Sequence, residues 1–350
     1  MLSSPIDLSL AGCSTARAMM ERARKPFPTP QGRIGRDEVR ARCERAMQRG
    51  LPTDMHCINT AREWAVIGGG PSIKDEVDTI RALKRRGVAI VSVNKSHDWL
   101  LEHGITPWGH VLLDPKEWVA GYVKRPRKDV RYFVASQCHD SVFDVLEGYP
   151  VFLWHAGQDF EDGTTEPDAY LRERWTTANW RIVPGPTTVG LRVPFLGHHM
   201  PDGPNTFHMF GMDSSRMNGA MHAYDKPEPP DAAKGKQILR CRGTNYTFQT
   251  NSHMARQFED FGNLMDNLAD HYEHGRLRKS FKLKFYGYGL LPFYAAMLGL
   301  HARPEFNQDP AKVGGYLEPD HDFWAMARAS FKLPPLPKSL DEVESISVSM

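Results

Sequence analysis

The stretch Trp64-Ala65-Val66-Ile67-Gly68-Gly69-Gly70-Pro71-Ser72-Ile73-Lys74 decides how the chain reads. A short apolar run rich in β-formers is followed at once by three glycines and Pro-Ser. Ile73, Val77, Ile80 and Leu83 then recur at helical spacing, a pattern of strand, tight turn and helix. Ser72 is the expected N-cap and Gly87 the expected stop. Glycines let a backbone approach a ligand closely, and a helix N-terminus offers unpaired N–H groups and the positive end of a dipole. Gly68, Gly69, Gly70, Pro71 and Ser72 therefore form a candidate phosphate site. The competing reading is a strand-to-helix turn that is merely rich in glycine, since the glycine spacings of the P-loop and of the dinucleotide fingerprint are both missing.

Outward from this turn, strand and helix patterns alternate. Residues 88–93 form a β-branched strand ending in Asn94-Lys95-Ser96, and residues 108–113 another, ending in Asp114-Pro115. Strands over 131–135 and 151–154 follow, with a short helix near 141–147 between them. This order predicts an α/β fold with a doubly wound, mostly parallel, Rossmann-like sheet. Ligands of such sheets bind beyond the carboxyl ends of the strands, which singles out Gly68 to Ser72, Asn94, Asp114 and Ser136.

Residues 158–179 are acidic and polar and read as a loop or lid, or as a plain surface insertion. Ile182-Val183-Pro184-Gly185-Pro186-Thr187-Thr188-Val189-Gly190 is a second glycine- and threonine-bearing turn entering a helix, with Thr187 or Thr188 as its cap and a bend expected at Pro194. Phe207-His208-Met209-Phe210 is a buried strand ending in Gly211-Met212-Asp213, and a polar loop carries His222-Ala223-Tyr224-Asp225. Residues 251–274 make a long helix whose Met254, Phe258, Phe261, Leu264, Met265 and Leu268 line one core-facing side. A last strand covers 283–286, and the proline-rich segment 333–337 opens a loosely ordered tail. Three units follow: a basic helical extension over 1–60 with helices at 15–24 and 36–48, a nucleotide-binding domain over 61–300, and a partly loose extension over 301–350.

Composition excludes several classes. The 350 residues carry a net charge of +2 and 41% hydrophobic residues, which is ordinary for a folded domain and gives no global argument for nucleic acid or a membrane surface. The arginines of residues 1–60 are interleaved with acids, which reads either as a basic arm or as ordinary helix surface. No apolar run reaches the roughly 20 residues of a membrane span, and a cytoplasmic location is expected. Cys13, Cys43, Cys57, Cys138 and Cys241 include no C-x-x-C pair, so reduced structural thiols are expected.

Five landmarks in order, Val66 to Ser72, Val93-Asn94-Lys95, His110 to Pro115, Thr187 to Gly190 and Phe210 to Asp213, resemble the MptE-like / motility accessory factor family, which includes 6-hydroxymethylpterin diphosphokinases. The same order is similar to that of a bacterial sialyltransferase family. The resemblance spans residues 64–225. It implies that Gly68 to Ser72 line donor phosphates and that Asn94 holds the nucleotide or a reacting hydroxyl. Thr187, Thr188 and Gly190 would cradle phosphate, and Asp213 would orient the ribose or base. His222 stands where the sialyltransferases carry a tyrosine that assists departure of the nucleotide phosphate, a task a histidine can perform as general acid. Gly69 and Asp114 replace two asparagines of the sialyltransferase pattern. An aspartate at 114 matches the MptE-like side and, beside phosphates, suggests a catalytic role and a Mg2+ ligand. For the sialyltransferase base, a histidine, His253 is the nearest candidate, though not in clean register.

The expected activity is transfer of a glycosyl or diphosphate group from a nucleotide donor to a hydroxyl-bearing acceptor. The alternative is a non-catalytic nucleotide-fold module that docks on a partner through its basic arm and proline-rich tail.

Overall fold

The computed structural model describes residues 34–313, apart from 54–57, 59, 177–179, 201, 218–219, 225–236, 241–246, 269–280 and parts of 252–268. The expected helix at 15–24, the Asn218-Gly219 turn, Asp225 and the proline-rich tail lie outside the described residues.

Among the described residues twelve strands are formed: β1 (Glu63–Ile67), β2 (Ala89–Val93), β3 (Gly109–Leu112), β4 (Arg131–Ala135), β5 (Val151–Ala156), β6 (Gln158–Asp159), β7 (Thr165–Glu166), β8 (Ile182–Val183), β9 (Thr206–Phe210), β10 (Gln237–Arg240), β11 (Thr247–Thr250) and β12 (Lys282–Phe285). Eight of them build one sheet in the order β12-β9-β1-β2-β3-β4-β5-β8, and every pairing in it is parallel. The strands β6 and β7, and β10 and β11, form two small antiparallel pairs.

Both faces of the sheet are buried, as continuous apolar strands require. In β1, Trp64 and Val66 point into one core while Ala65 and Ile67 point into the other. The first core takes apolar residues from the helices Arg36–Gln48, Asp140–Val145, Val189–His199 and Leu290–Met297. The second takes Ile80 and Leu83 from Val77–Arg85 and Trp99 and Leu100 from Ser96–Glu102. The helix Val77–Arg85 ends before Gly87, whose φ of +86° makes it the expected stop. The helix Val189–His199 runs through Pro194, where only one intrahelical N–H is forfeited.

The arginines of the helix Arg36–Gln48 are committed to the rest of the fold. Arg40 pairs with the fully buried Glu166, Arg45 with Asp140, and Arg49 with Asp144. Arg42 donates to the carbonyls of Pro115 and Gln137. Residues 158–174 are correspondingly a hairpin and a helix clamped to this element by Asp162 and Glu166, rather than a lid loop. Cys43 and Cys138 are buried free thiols. Among the described residues no helix is long and apolar enough to cross a membrane.

Candidate active site

Strand order reverses between β1 and β9: β2, β3, β4, β5 and β8 succeed one another on one side of β1, and β9 and β12 lie on the other. A crevice forms at such a point beyond the carboxyl ends. Here the exits of β1 and β9 run in contact. Gly68 N–H donates to Phe210 O at 2.8 Å and Gly70 N–H to Gly211 O at 2.9 Å. A Cβ on Gly68 would sit 2.6 Å from Gly211 O, and one on Gly70 2.5 Å from the Asp213 carboxyl carbon. These glycines therefore serve an internal crossing of two backbones.

The helix N-terminus after Pro71 is already occupied by a carboxyl group of the chain itself. Asp213 Oδ2 accepts from Ser72 N–H at 2.7 Å, and its Oδ1 accepts from Ser72 Oγ at 2.6 Å. Ser72 is thus not the N-cap; Pro71–Glu76 is a 3-10 turn entered from Gly70, and Ser72 is buried inside it. Asp213 is buried as well, and burial pushes its carboxyl up to about 7 against the opposing Ser72 bonds. In this state its carboxylate is spent on Ser72 rather than turned to a ribose.

The second turn repeats the arrangement with a different carboxylate. Asp260 Oδ2 accepts from Thr188 N–H at 3.0 Å, from Thr188 Oγ1 at 2.9 Å and from Thr187 Oγ1. A Cβ on Gly190 would meet the Met212 methyl at 2.5 Å, so this glycine lets the helix Val189–His199 pack on the loop after β9. Ser136, past β4, is buried and bonded to His155 Nδ1 at 2.9 Å, a structural rather than ligand-facing position.

Two adjoining cavities open at this edge, one of about 530 Å³ and one of about 150 Å³, with Asn94, Thr188, Val189, His253 and Gln257 in the walls of both. Asn94, at the exit of β2, holds φ +51°, and its Oδ1 is buried without a partner. Asp114, at the exit of β3, lines the larger cavity. Its Oδ1 accepts from Lys116 N–H at 3.0 Å; burial raises its pKa, with the Lys116 amide bond and the charges of Lys116 and His253 pulling the other way. His222 lines the smaller cavity, stacked on Tyr224 with ring centroids 5.0 Å apart, and both rings stand against Gly69.

Asp114 and His222 thus occupy different, connected chambers, and Asp213 lines the smaller one while bound to Ser72. His253, exposed and common to both chambers, joins them as a further candidate. Residues not singled out from sequence are Gln137, Trp118 and Asp260. Asp260 lies in a stretch whose apolar periodicity drew attention only to its core face. Trp118 carries no sequence signal beyond an aromatic near Asp114.

Among the described residues no group of three or more His, Cys, Asp or Glu side chains is placed to hold a metal. Mg2+, however, commonly takes one or two protein oxygens and fills its shell with phosphate and water. Asp114 and the unpartnered Asn94 Oδ1 are hard oxygen donors at the ends of paired strands, and that donor set fits.

A parallel sheet flanked by helices, with its strand order reversing at β1, defines a doubly wound α/β domain. Residues 52–219 match the family described as 6-hydroxymethylpterin diphosphokinase MptE-like. Among solved structures, the MAf glycosyltransferase from Magnetospirillum magneticum AMB-1 is similar over 83% of this chain and 45% of its own, at 16% identity and a TM-score of 0.44. The chain therefore spans less than half the length of that protein. No curated protein matches the chain in sequence.

Proposed function

We propose that the chain is a nucleotide-dependent transferase that moves a glycosyl or diphosphate group to a hydroxyl acceptor. The observation that carries this reading is the pairing of Asn94 and Asp114 at the ends of two adjacent strands in one cavity wall. One holds an unsatisfied oxygen in a left-handed backbone, and the other is a carboxyl raised by burial. Strained residues and perturbed carboxyls gather at functional sites.

In the proposed reaction Asp114 accepts the proton of the acceptor hydroxyl while the acceptor oxygen bonds to the transferred carbon or phosphorus. The bond from that atom to the donor's phosphate oxygen breaks, and His222 protonates the departing phosphate. A raised Asp114 is a stronger base than an exposed carboxylate. Asn94 positions the donor, and the tight Gly68 to Gly70 turn keeps the smaller chamber narrow. Mg2+, where the donor requires it, would be held by the Asp114 carboxylate, which would then serve as ligand in place of base, and would neutralise phosphate charge.

The test is thermal stability against CMP, CDP, UDP, GDP, ADP and ATP, each with and without Mg2+. A ligand at about a hundred times its Kd stabilises the fold by about 2.7 kcal/mol. A Mg2+-independent shift with CMP or a sugar-carrier nucleotide supports glycosyl transfer; a Mg2+-dependent shift with ATP supports diphosphate transfer. In the latter case Asp114→Ala abolishes the shift, and its survival would reduce Asp114 to a strand terminator. The non-catalytic module is favoured by one feature, the occupation of both helix N-termini by Asp213 and Asp260, and absence of any shift would select it.

A further inference from the structure

The larger cavity carries a chemical signature of its own. Two residues of its wall, Asn94 and Gln137, each carry a buried side-chain oxygen that has no hydrogen-bond partner, Oδ1 and Oε1 respectively. Gln137 is only 8% exposed and follows β4, which places it beyond Asp114 along the carboxyl edge. A buried acceptor left unpaired costs about 1–3 kcal/mol, so a ligand that supplies donors recovers that cost. A phosphate group at neutral pH offers mostly acceptors and cannot satisfy either oxygen. At the rim Trp118 is 63% exposed beside Asp114, with Lys116 Nζ over one face of its indole at 5.7 Å from the centroid. One aromatic face for C–H groups, carbonyl oxygens for hydroxyl donors and a flanking carboxylate together fit a polyhydroxylated ring.

We infer that the larger cavity is a subsite for a sugar ring, which stacks on Trp118 and donates hydroxyl hydrogen bonds to Gln137 and Asn94, while donor phosphate stays in the smaller chamber. The inference rests on the transferase reading and makes its acceptor a carbohydrate whose hydroxyl lies beside Asp114. A flat heteroaromatic acceptor would use Trp118 as well, but Gln137 and Asn94 on one wall call for several donors spread around a ring.

The experiment is saturation-transfer NMR of the full chain with methyl glucoside, methyl galactoside, methyl mannoside and N-acetylglucosamine, repeated with neopterin and guanosine as heteroaromatic probes. At least one sugar is expected to receive saturation on its ring C–H protons, and Trp118→Ala and Gln137→Leu each to weaken it by about tenfold or more. Gln137→Glu, which keeps acceptor oxygens, retains sugar binding. Both variants keep any nucleotide-induced thermal shift of the wild type. Saturation of the heteroaromatic probes alone, unchanged sugar binding in the two variants, or loss of the nucleotide shift in Gln137→Leu would each overturn the assignment. Sugar binding through Trp118 and Gln137 without any nucleotide shift would uphold the subsite and remove the transferase reading on which its acceptor role depends.

Discussion

Asn94 carries two costs at once: a left-handed backbone at φ +51° and a buried oxygen without a partner. A non-glycine residue in that region is strained, by about 1–2 kcal/mol for most side chains and less for asparagine. Glycine adopts the same backbone freely, while losing more entropy on folding. Asn94→Gly is therefore expected to hold or raise the stability of the fold, within about 1 kcal/mol, and to remove ligand-induced stabilisation. Urea unfolding beside the nucleotide thermal-shift panel checks both halves. A variant that is clearly destabilised would mean the side chain is a structural bond, and one that still responds to nucleotide would remove Asn94 from the site. The neighbouring Gly70 has no such freedom, because any side chain there meets the Asp213 carboxyl.

At the scale of elements, the two helices that point at the crevice are alike in one respect: each N-terminus is held by a carboxylate from a distant part of the chain. Asp260 accepts from both threonine hydroxyls and from the amide of Thr188, the N-cap residue of Val189–His199, and so fixes the start of that helix. Loss of a helix cap costs about 0.5–2 kcal/mol, so Asp260→Ala is expected to destabilise the protein by about 1–2 kcal/mol, and Asp260→Asn by less. An unchanged denaturation midpoint in Asp260→Ala would show the cap to be dispensable.

These contacts also mark where sequence stops informing. The strands at 63–67, 89–93, 109–112, 131–135, 151–156, 206–210 and 282–285 were legible as short apolar runs bounded by turn residues, and the parallel sheet followed from their alternation with helices; the short strands at 158–159, 165–166, 182–183, 237–240 and 247–250 were not legible. The Gly68 to Ser72 and Thr187 to Gly190 turns were legible as helix entries at the carboxyl edge. That each helix end would be filled by Asp213 or Asp260 was not, since both bonds join residues more than seventy positions apart and local pattern carries no information on them. Gln137 escaped notice for the same reason, since only the folded crevice makes it a neighbour of Asp114; Trp118 stands four positions from Asp114 but sits in no pattern that marks it.

For the whole molecule, burial sets two opposing responses to pH. His97, His110, His155, His208 and His301 are all buried, and burial lowers the pKa of each, that of His155 to about 3. The unfolded chain protonates its histidines near 6.5, so below that pH it binds more protons than the fold, and stability is lost as pH falls. Asp213 acts the other way. Its folded carboxyl is raised to about 7, against about 3.9 when unfolded, so the stability it contributes is present in acid and is lost as pH rises through about 7. Between pH 5 and 7 the two slopes subtract in the native sequence, at about the range where both groups titrate. Asp213→Asn keeps an oxygen to accept from Ser72 but cannot titrate, so only the histidine slope remains. Its melting temperature is expected to climb more steeply from about pH 5 to about pH 7 than that of the unmodified chain. Calorimetric melting at closely spaced pH values measures the difference. Identical slopes would mean that Asp213 is ionised throughout and that the anion at the first helix N-terminus is a permanent charge.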